Sequence, residues 1–326
     1  MKLLLIDADF ILYRNSAMVF RGNGEVRSGP LTKSFILSVW KIQKQHMADK
    51  VILCWDKKPY HKEGEIEEYK GDRVYASDDD VKALNEKAEL ELDPIKKKEI
   101  EDEAWRTNRS IESYKARGET KYSLINSGSG FGMQSVIKKG YEADDLAYLI
   151  AHHVHTSETI YDSVILASID GDWIGFVNPI TEYHRTNKAK DVHLYEDEVK
   201  KIPEQYRTKV TLAEWHLIHQ LYYGNHNGIN IDKELKNTYD LESIVNFSAD
   251  RTTVPDPLKN FFTRLDCMDA LNYYDQCKSY LSFLLSAPSG GKIIGEWYTY
   301  EETYKTGLWP NVVGAFMKSQ NSEAFA

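Results

Sequence analysis

The chain has 326 residues and little sulfur chemistry to offer. Its three cysteines, Cys54, Cys267 and Cys277, share no Cys-x-x-Cys spacing. That excludes a disulfide framework and suits a reducing compartment. No apolar run is long enough to span a bilayer, so no membrane association is expected. No internal repeat is visible. The glycine-rich stretch Asn126–Gly132 ("NSGSGFG") has no Lys-Ser/Thr after it, so it reads as a turn and not as a phosphate cradle. The opening "MKLLLID" reads as a structural strand and not as a signal peptide, and a cytoplasmic protein is expected. Positive charge is also short: 41 Lys and Arg stand against 50 Asp and Glu, for a net charge of -9. An acidic chain argues against nucleic acid as a partner. The argument fails if the acids are clustered, because divalent cations then reverse the local field.

With 42% hydrophobic residues there is material for one large domain or two. Three short aliphatic runs stand out: Lys2–Ile6 ("KLLLI"), Val51–Trp55 ("VILCW") and Val164–Ala167 ("VILA"). Each has the look of a buried parallel strand of an α/β sheet. Cys54 falls inside one of them and is expected to be buried. Helical spacing is present in Ser34–Met47, with Phe35, Leu37, Val39 and Ile42 offered to a core. It recurs in Ala143–His155, with Leu146, Leu149 and Ile150 on one face. Ser77–Glu112 is highly charged and reads as one or two exposed helices broken near Pro94. Ser77 before three aspartates is a helix start. Near residue 235 the character changes, and tyrosine becomes frequent beyond it.

Each aliphatic run ends in acid: Asp7 with Asp9, Asp56, and Asp170 with Asp172. Parallel strands bring their carboxyl ends to one edge, where ligand sites form. Glu142, Asp144 and Asp145 ("EADD") stand at a helix start and can join them. Carboxylates this dense cannot all ionise without counter-charge. Oxygen-only donors suit Mg2+, with Mn2+ as a substitute, and the sequence has no Cys/His set of the zinc kind. Such a centre suits phosphoryl chemistry. A phosphatase with Asp7 as nucleophile and Asp9 as general acid is one option, but it leaves Asp56 and "EADD" unused. A metal-dependent nuclease uses every cluster. His152, His153 and His155 lack partner acids and read as helix C-terminal cations. His184, Arg185, Lys188 and Lys190 form a short basic patch, open to DNA contact or to a plain loop role.

Four blocks in order carry a resemblance: "LLLIDADFILYR", "VILCWDKKPYHKEGEIEEYKGDR", "GYEADDLAYLIA" and "VILASIDGDW". Together they resemble the bacteriophage 5′→3′ exonuclease and flap endonuclease family, which is related to the 5′-nuclease domain of bacterial DNA polymerase I. The resemblance covers about residues 1–225. It implies a PIN-like three-layer α/β sandwich with a mostly parallel sheet over residues 1–235. A helical arch would be inserted at about 77–117, and a mainly helical region of unassigned role would follow at 236–326. It implies that Asp7, Asp56, Glu142, Asp144 and Asp170 hold a first metal, with Asp145 and Asp172 at a second. Lys70 and Arg73 in "YKGDR" match the basic pair at the base of the arch, and Tyr69 would stack on a base. Lys96, Lys97, Lys98, Arg106, Arg109, Lys115 and Arg117 would meet phosphates. Asp9 is not a usual ligand position and would stand outside the metals.

The implied substrate is DNA with a 5′ flap or a single-strand/duplex junction, with RNA–DNA hybrid as a further form. The implied protein is a monomer that meets replication proteins through its C-terminal region. One block departs. Where the family carries Gly-Asp-x-x-Asp-Asn-Ile, this chain has "YGNHNGINID", with Asn225 and Gly228 at the aspartate positions. Asp232 substitutes only if the backbone is rerouted. No Gly-Ile-Gly-x-Lys-x-Gly loop follows to grip duplex. The expectation is therefore a weak second metal, and a catalytically reduced DNA-binding relative is the alternative.

Overall fold

The computed structural model describes residues 1–20, 26–57, 76–127, 131–186, 191–224, 231, 233–286, 292–293 and 296–297. The three aliphatic runs are the three central strands: β1 (Lys2–Asp7), β2 (Lys50–Cys54) and β4 (Ser163–Ser168). β3 (Met133–Val136), β5 (Thr181–Arg185) and β6 (Val192–His193) complete a sheet of order β3-β2-β1-β4-β5-β6. All pairings are parallel except β5 with β6. The chain runs outward from β1 to β2 and β3, then returns to the other side of β1 with β4. The order reverses between β1 and β4, which is where an open α/β sheet forms its crevice.

Pleating sends alternate side chains to opposite faces. Leu4, Ile6, Ile165 and Ala167 pack under α1 (Ala8–Val19) and α2 (Ser28–His46), with Ile11, Phe35, Ile36, Val39 and Trp40. Leu3, Leu5, Val164 and Leu166 pack against α5 (Ala143–Thr156) through Leu146, Leu149 and Ile150. The result is a three-layer PIN-like sandwich. Leu37, expected in the core, is 41% exposed, because Ile36 and Trp40 take the buried face of α2.

The charged insertion is a helical hairpin. α3 (Asp78–Leu90) starts at Ser77, whose hydroxyl accepts the Asp80 N–H while the Asp80 carboxylate accepts the Ser77 N–H. α4 (Pro94–Ser127) begins at Pro94, whose missing N–H costs nothing in a first turn. It runs beyond the expected insertion and takes in Asn126 and Ser127, the start of the glycine-rich stretch. Its C-terminal half rejoins the core through Ala116 and Leu124.

Beyond β6 come α6 (Tyr195–Lys201), α7 (Leu212–Tyr223), α8 (Lys233–Thr238), α9 (Leu241–Ala249), α10 (Lys259–Met268) and α11 (Tyr274–Ser286). Two short strands, Lys292–Ile293 and Glu296–Trp297, pair antiparallel. Core residues from both sides of position 235 share one cluster, with Leu281 and Leu284 against the α5 layer. No helix among the described residues is long and apolar enough to cross a membrane. All three cysteines are buried, and none forms a disulfide among the described residues.

Candidate metal and nucleic-acid site

The acids that end β1, β2 and β4 meet those at the start of α5. Asp7, Asp56, Glu142, Asp144 and Asp170 all line one cleft of about 1260 Å³. Asp9, Phe10, Tyr13, Trp173, Ser110, Tyr114, Lys115, Arg117 and Lys121 line it too, so the wall formed by α4 is cationic and aromatic. A smaller cavity alongside is lined by Asp144, Asp145, Asp172 and Gln220. Asp144 belongs to both. Carboxylate oxygens of Glu142, Asp144 and Asp145 lie within 4.8 Å of one another.

A run of hydrogen bonds fixes these acids. Asp7 caps α1, accepting the Phe10 N–H at 3.0 Å, and accepts the Ser168 hydroxyl at 2.8 Å. Ser168 Oγ accepts the Asp170 N–H at 3.1 Å, and Asp170 accepts the Asp172 N–H at 3.1 Å. The Gln220 amide then donates to Asp172 Oδ1 at 2.6 Å. Gln220 can reach because Gly175 lets its segment press against α7: a Cβ there would stand 3.2 Å from the His216 Cβ. On the other flank, Asp56 accepts the Ala143 N–H at 2.8 Å, so its carboxylate sits on the positive end of α5. Asp145 accepts the Glu142 N–H at 3.0 Å.

The electrostatics follow from the crowding. Asp7 is pushed up from 3.8 to about 7, first by burial and then by the Asp56 charge, against the Phe10 N–H and the Ser168 hydroxyl, with a smaller rise from Asp9. A divalent cation beside Asp7 would offset that crowding. The oxygen-only donor set fits Mg2+ or Mn2+ and disfavours a soft metal.

A family model for the 5′-3′ exonuclease N-terminal resolvase-like domain matches residues 2–207. The chain belongs to that family. Its sheet is therefore that of a 5′-3′ exonuclease domain, the family is one of nucleases, and the acid cluster is compatible with a metal site. Among solved structures, one is a bacteriophage T5 flap endonuclease variant in a pseudo-enzyme–product complex with DNA and metal ions. It aligns at 16% identity with a TM-score of 0.54, over 88% of this chain and 100% of the other. Another is a bacteriophage T5 protein co-crystallised with metal ions, at 15% identity and TM-score 0.48 over 98% of both chains. A third, the T5 5′-exonuclease with zinc bound, gives 16% and 0.47 over 98% of both. The likeness at TM-score 0.54 speaks for the fold. No curated protein matches the chain.

The remaining expected site residues divide. Lys115 and Arg117 line the cleft. Arg117 stacks on Tyr13 and Tyr114, at 5.1 and 5.8 Å from their ring centroids, and Lys115 pairs with Asp78 at 3.4 Å. Lys96, Lys97, Lys98, Arg106 and Arg109 are not among the lining residues. Arg109 binds α4 to the end of α1, giving two hydrogen bonds to the Phe20 carbonyl at 3.1 and 2.6 Å. Tyr69, Lys70 and Arg73 lie outside the described residues, as do Lys188, Lys190, Asn225, Gly228 and Asp232. His153 serves packing: its ring lies 2.7 Å from the Tyr274 hydroxyl and 3.2 Å from Ser282 Oγ, both on α11. His184 pairs with Glu182 at 2.9 Å, and Arg185 with Asp191 at 3.6 Å.

Three residues of the site escaped the sequence reading: Ser168, Lys121 and Gln220. Ser168 ends β4 two places before Asp170, so its position could have flagged it. Nothing local marks Lys121 or Gln220.

Proposed function

We propose that this chain is a divalent-metal-dependent 5′→3′ exonuclease or flap endonuclease, acting on 5′ flaps or RNA primers in phage DNA replication. One observation carries the reading: five carboxylates from three strand ends and one helix start converge on a cleft walled by the cationic face of α4. Asp7, Asp56, Glu142, Asp144 and Asp170 would hold the first cation, and Asp145 and Asp172 would serve a second. A divalent cation bound there supplies an activated water and offsets charge on the phosphate and the leaving oxygen. The protein's own part is geometric and electrostatic. Asp7, Asp56 and Asp170 are held in place before substrate arrives. Lys115 and Arg117 attract the phosphate backbone to the cleft. Lys70 and Arg73 would stabilise charge developing on the scissile phosphate. The C-terminal region would serve replication partners.

The deciding experiment is cleavage of 5′-labelled flap DNA in Mg2+, in Mn2+ and in EDTA. Metal-dependent shortening is expected, and none in EDTA. Flap binding without turnover in either metal would replace the nuclease by a structure-selective binding protein. Release of phosphate from a simple monoester, with DNA left intact, would point to the phosphatase.

The second metal position is the weaker one in this reading. Gln220 occupies one oxygen of Asp172, and a neutral amide adds no charge to attract a cation. Asn225 and Gly228 stand where the family resemblance expects aspartates. Titration of the DNA-free protein with Mn2+, followed by electron paramagnetic resonance, is expected to show one tight and one weak ion. Two ions of equal affinity would remove this claim.

A further inference from the structure

Lys121 projects from α4 onto the strand ends. Its Nζ lies 3.0 and 2.8 Å from the two carboxylate oxygens of Asp9 and 2.8 Å from the Asp56 carbonyl oxygen. It also stands 5.5 Å from the Trp55 ring centroid. Asp9 Oδ2 in turn accepts the Asp56 N–H at 2.7 Å. The two side chains are only 23% and 28% exposed.

Asp56 needs such support. β2 ends at Cys54, so Asp56 lies past the last ladder pair. Its neighbours are tied: the Trp55 N–H donates to the Val136 carbonyl and the Lys57 N–H to the Tyr141 carbonyl. The N–H and C=O of Asp56 itself are taken by Asp9 and Lys121. With both backbone groups fixed, its carboxylate is aimed at the α5 N-terminus.

We infer that Lys121 and Asp9 act as one positioning pair, which sets Asp56 in the acid floor and couples α4 to the metal centre. This rests on the nuclease reading above. A partner that orients a metal ligand typically contributes 10–100-fold in metal affinity or activity. The competing role for Lys121 is direct contact with a substrate phosphate. Its geometry favours positioning, because its donors face Asp9 and the Asp56 carbonyl at hydrogen-bond distance.

Lys121→Met separates the roles. Coulomb's law alone says that removing a cation beside the carboxylates tightens a bound metal ion. Positioning predicts the opposite. Mn2+ binding to the DNA-free K121M protein is expected to weaken about tenfold. On flap DNA, kcat is expected to fall by a similar factor with KM unchanged. The charge-neutral variant D9A/K121M is expected to lose no more than about twice what K121M loses, because the two residues act as a unit. Circular dichroism and thermal melting check that each variant is folded. If K121M folds poorly, K121Q keeps a donor but no charge: under positioning its Mn2+ binding is expected to lie at or below that of the wild type, and tighter binding overturns the inference.

Equal or tighter Mn2+ binding by K121M overturns the inference. So does a raised KM with a salt slope shallower by about one and unchanged Mn2+ affinity, the mark of a lost phosphate contact. A wild-type protein that cleaves no DNA removes the nuclease reading but leaves the Mn2+ comparison intact. A wild-type protein that cleaves, matched by K121M in both measurements, removes only the pair.

Discussion

Asp7→Asn is expected to abolish DNA cleavage while making the metal-free protein more stable at pH 8. The activity loss should exceed the roughly 10–100-fold that removal of an outer partner costs, since Asp7 is proposed to hold the first cation. The stability gain follows from the raised pKa. In the unfolded chain Asp7 titrates near 3.8, and in the fold near 7. Between those values the native state holds a proton that the unfolded state has lost, so stability falls as pH rises from about 4 to about 7. Above 7 the native protein carries the full cost of a buried carboxylate beside Asp56. Asparagine keeps the Phe10 cap and can donate to Ser168 Oγ, but it carries no charge. In EDTA at pH 8, the loss of that charge in D7N should raise the melting temperature by at least about 2 °C. At pH 4 the two proteins should melt together. Mg2+ should stabilise the wild type more at pH 8 than at pH 6, because it competes with the proton on Asp7. Equal melting curves in EDTA at pH 8 would mean that Asp7 carries no burial cost.

The strand-end logic was legible in advance because a strand's period and its terminal acid are local facts. Asp7, Asp56 and Asp170 follow aliphatic runs, and parallel pairing brings such ends together whatever else the chain does. The break at Pro94 and the start at Ser77 were equally local, each set by one residue's hydrogen-bonding needs. Lys121 and Gln220 were not legible. Lys121 stands among other lysines on a long polar helix, and only the docking of α4 onto α1 and β2 selects it. Gln220 sits 48 residues from Asp172, and only the packing at Gly175 brings them within reach. Leu37 shows the same limit at smaller scale: of the four residues offered to the core, Phe35, Val39 and Ile42 are buried, while Leu37 is exposed and Ile36 and Trp40 are buried beside them. The composition shift near 235 was visible, but composition does not report which helices share a core.

That last point carries the other large expected effect. A chain ending near residue 235 is expected not to fold into a cooperative native state. Phe261, Phe262, Leu265, Leu281, Leu284 and Leu285 are buried in the same cluster as Leu146, Leu149 and the β1 side chains Leu3 and Leu5. Burying each such side chain contributes about 1.5–3 kcal/mol. Six of them, on the order of 9–18 kcal/mol together, are as large as the whole net stability of about 5–15 kcal/mol that a domain retains. Polar ties would go as well. Lys50, fully buried at the start of β2, donates to the Leu284 carbonyl at 3.0 Å, and burial holds its amine down at about 8. The His153 contacts with Tyr274 and Ser282 lie on the back of α5, whose first turn carries Glu142, Asp144 and Asp145. Loss of α11 therefore loosens the helix whose start carries three of the seven acids. Leu281→Asp in the full chain tests the same contact with one residue, by placing a charge inside the apolar cluster. Both variants should lose the sharp thermal transition and be cut rapidly by protease. A 235-residue chain that melts cooperatively at the full-length temperature would show that residues beyond 235 form a unit of their own, and that the nuclease core closes without them.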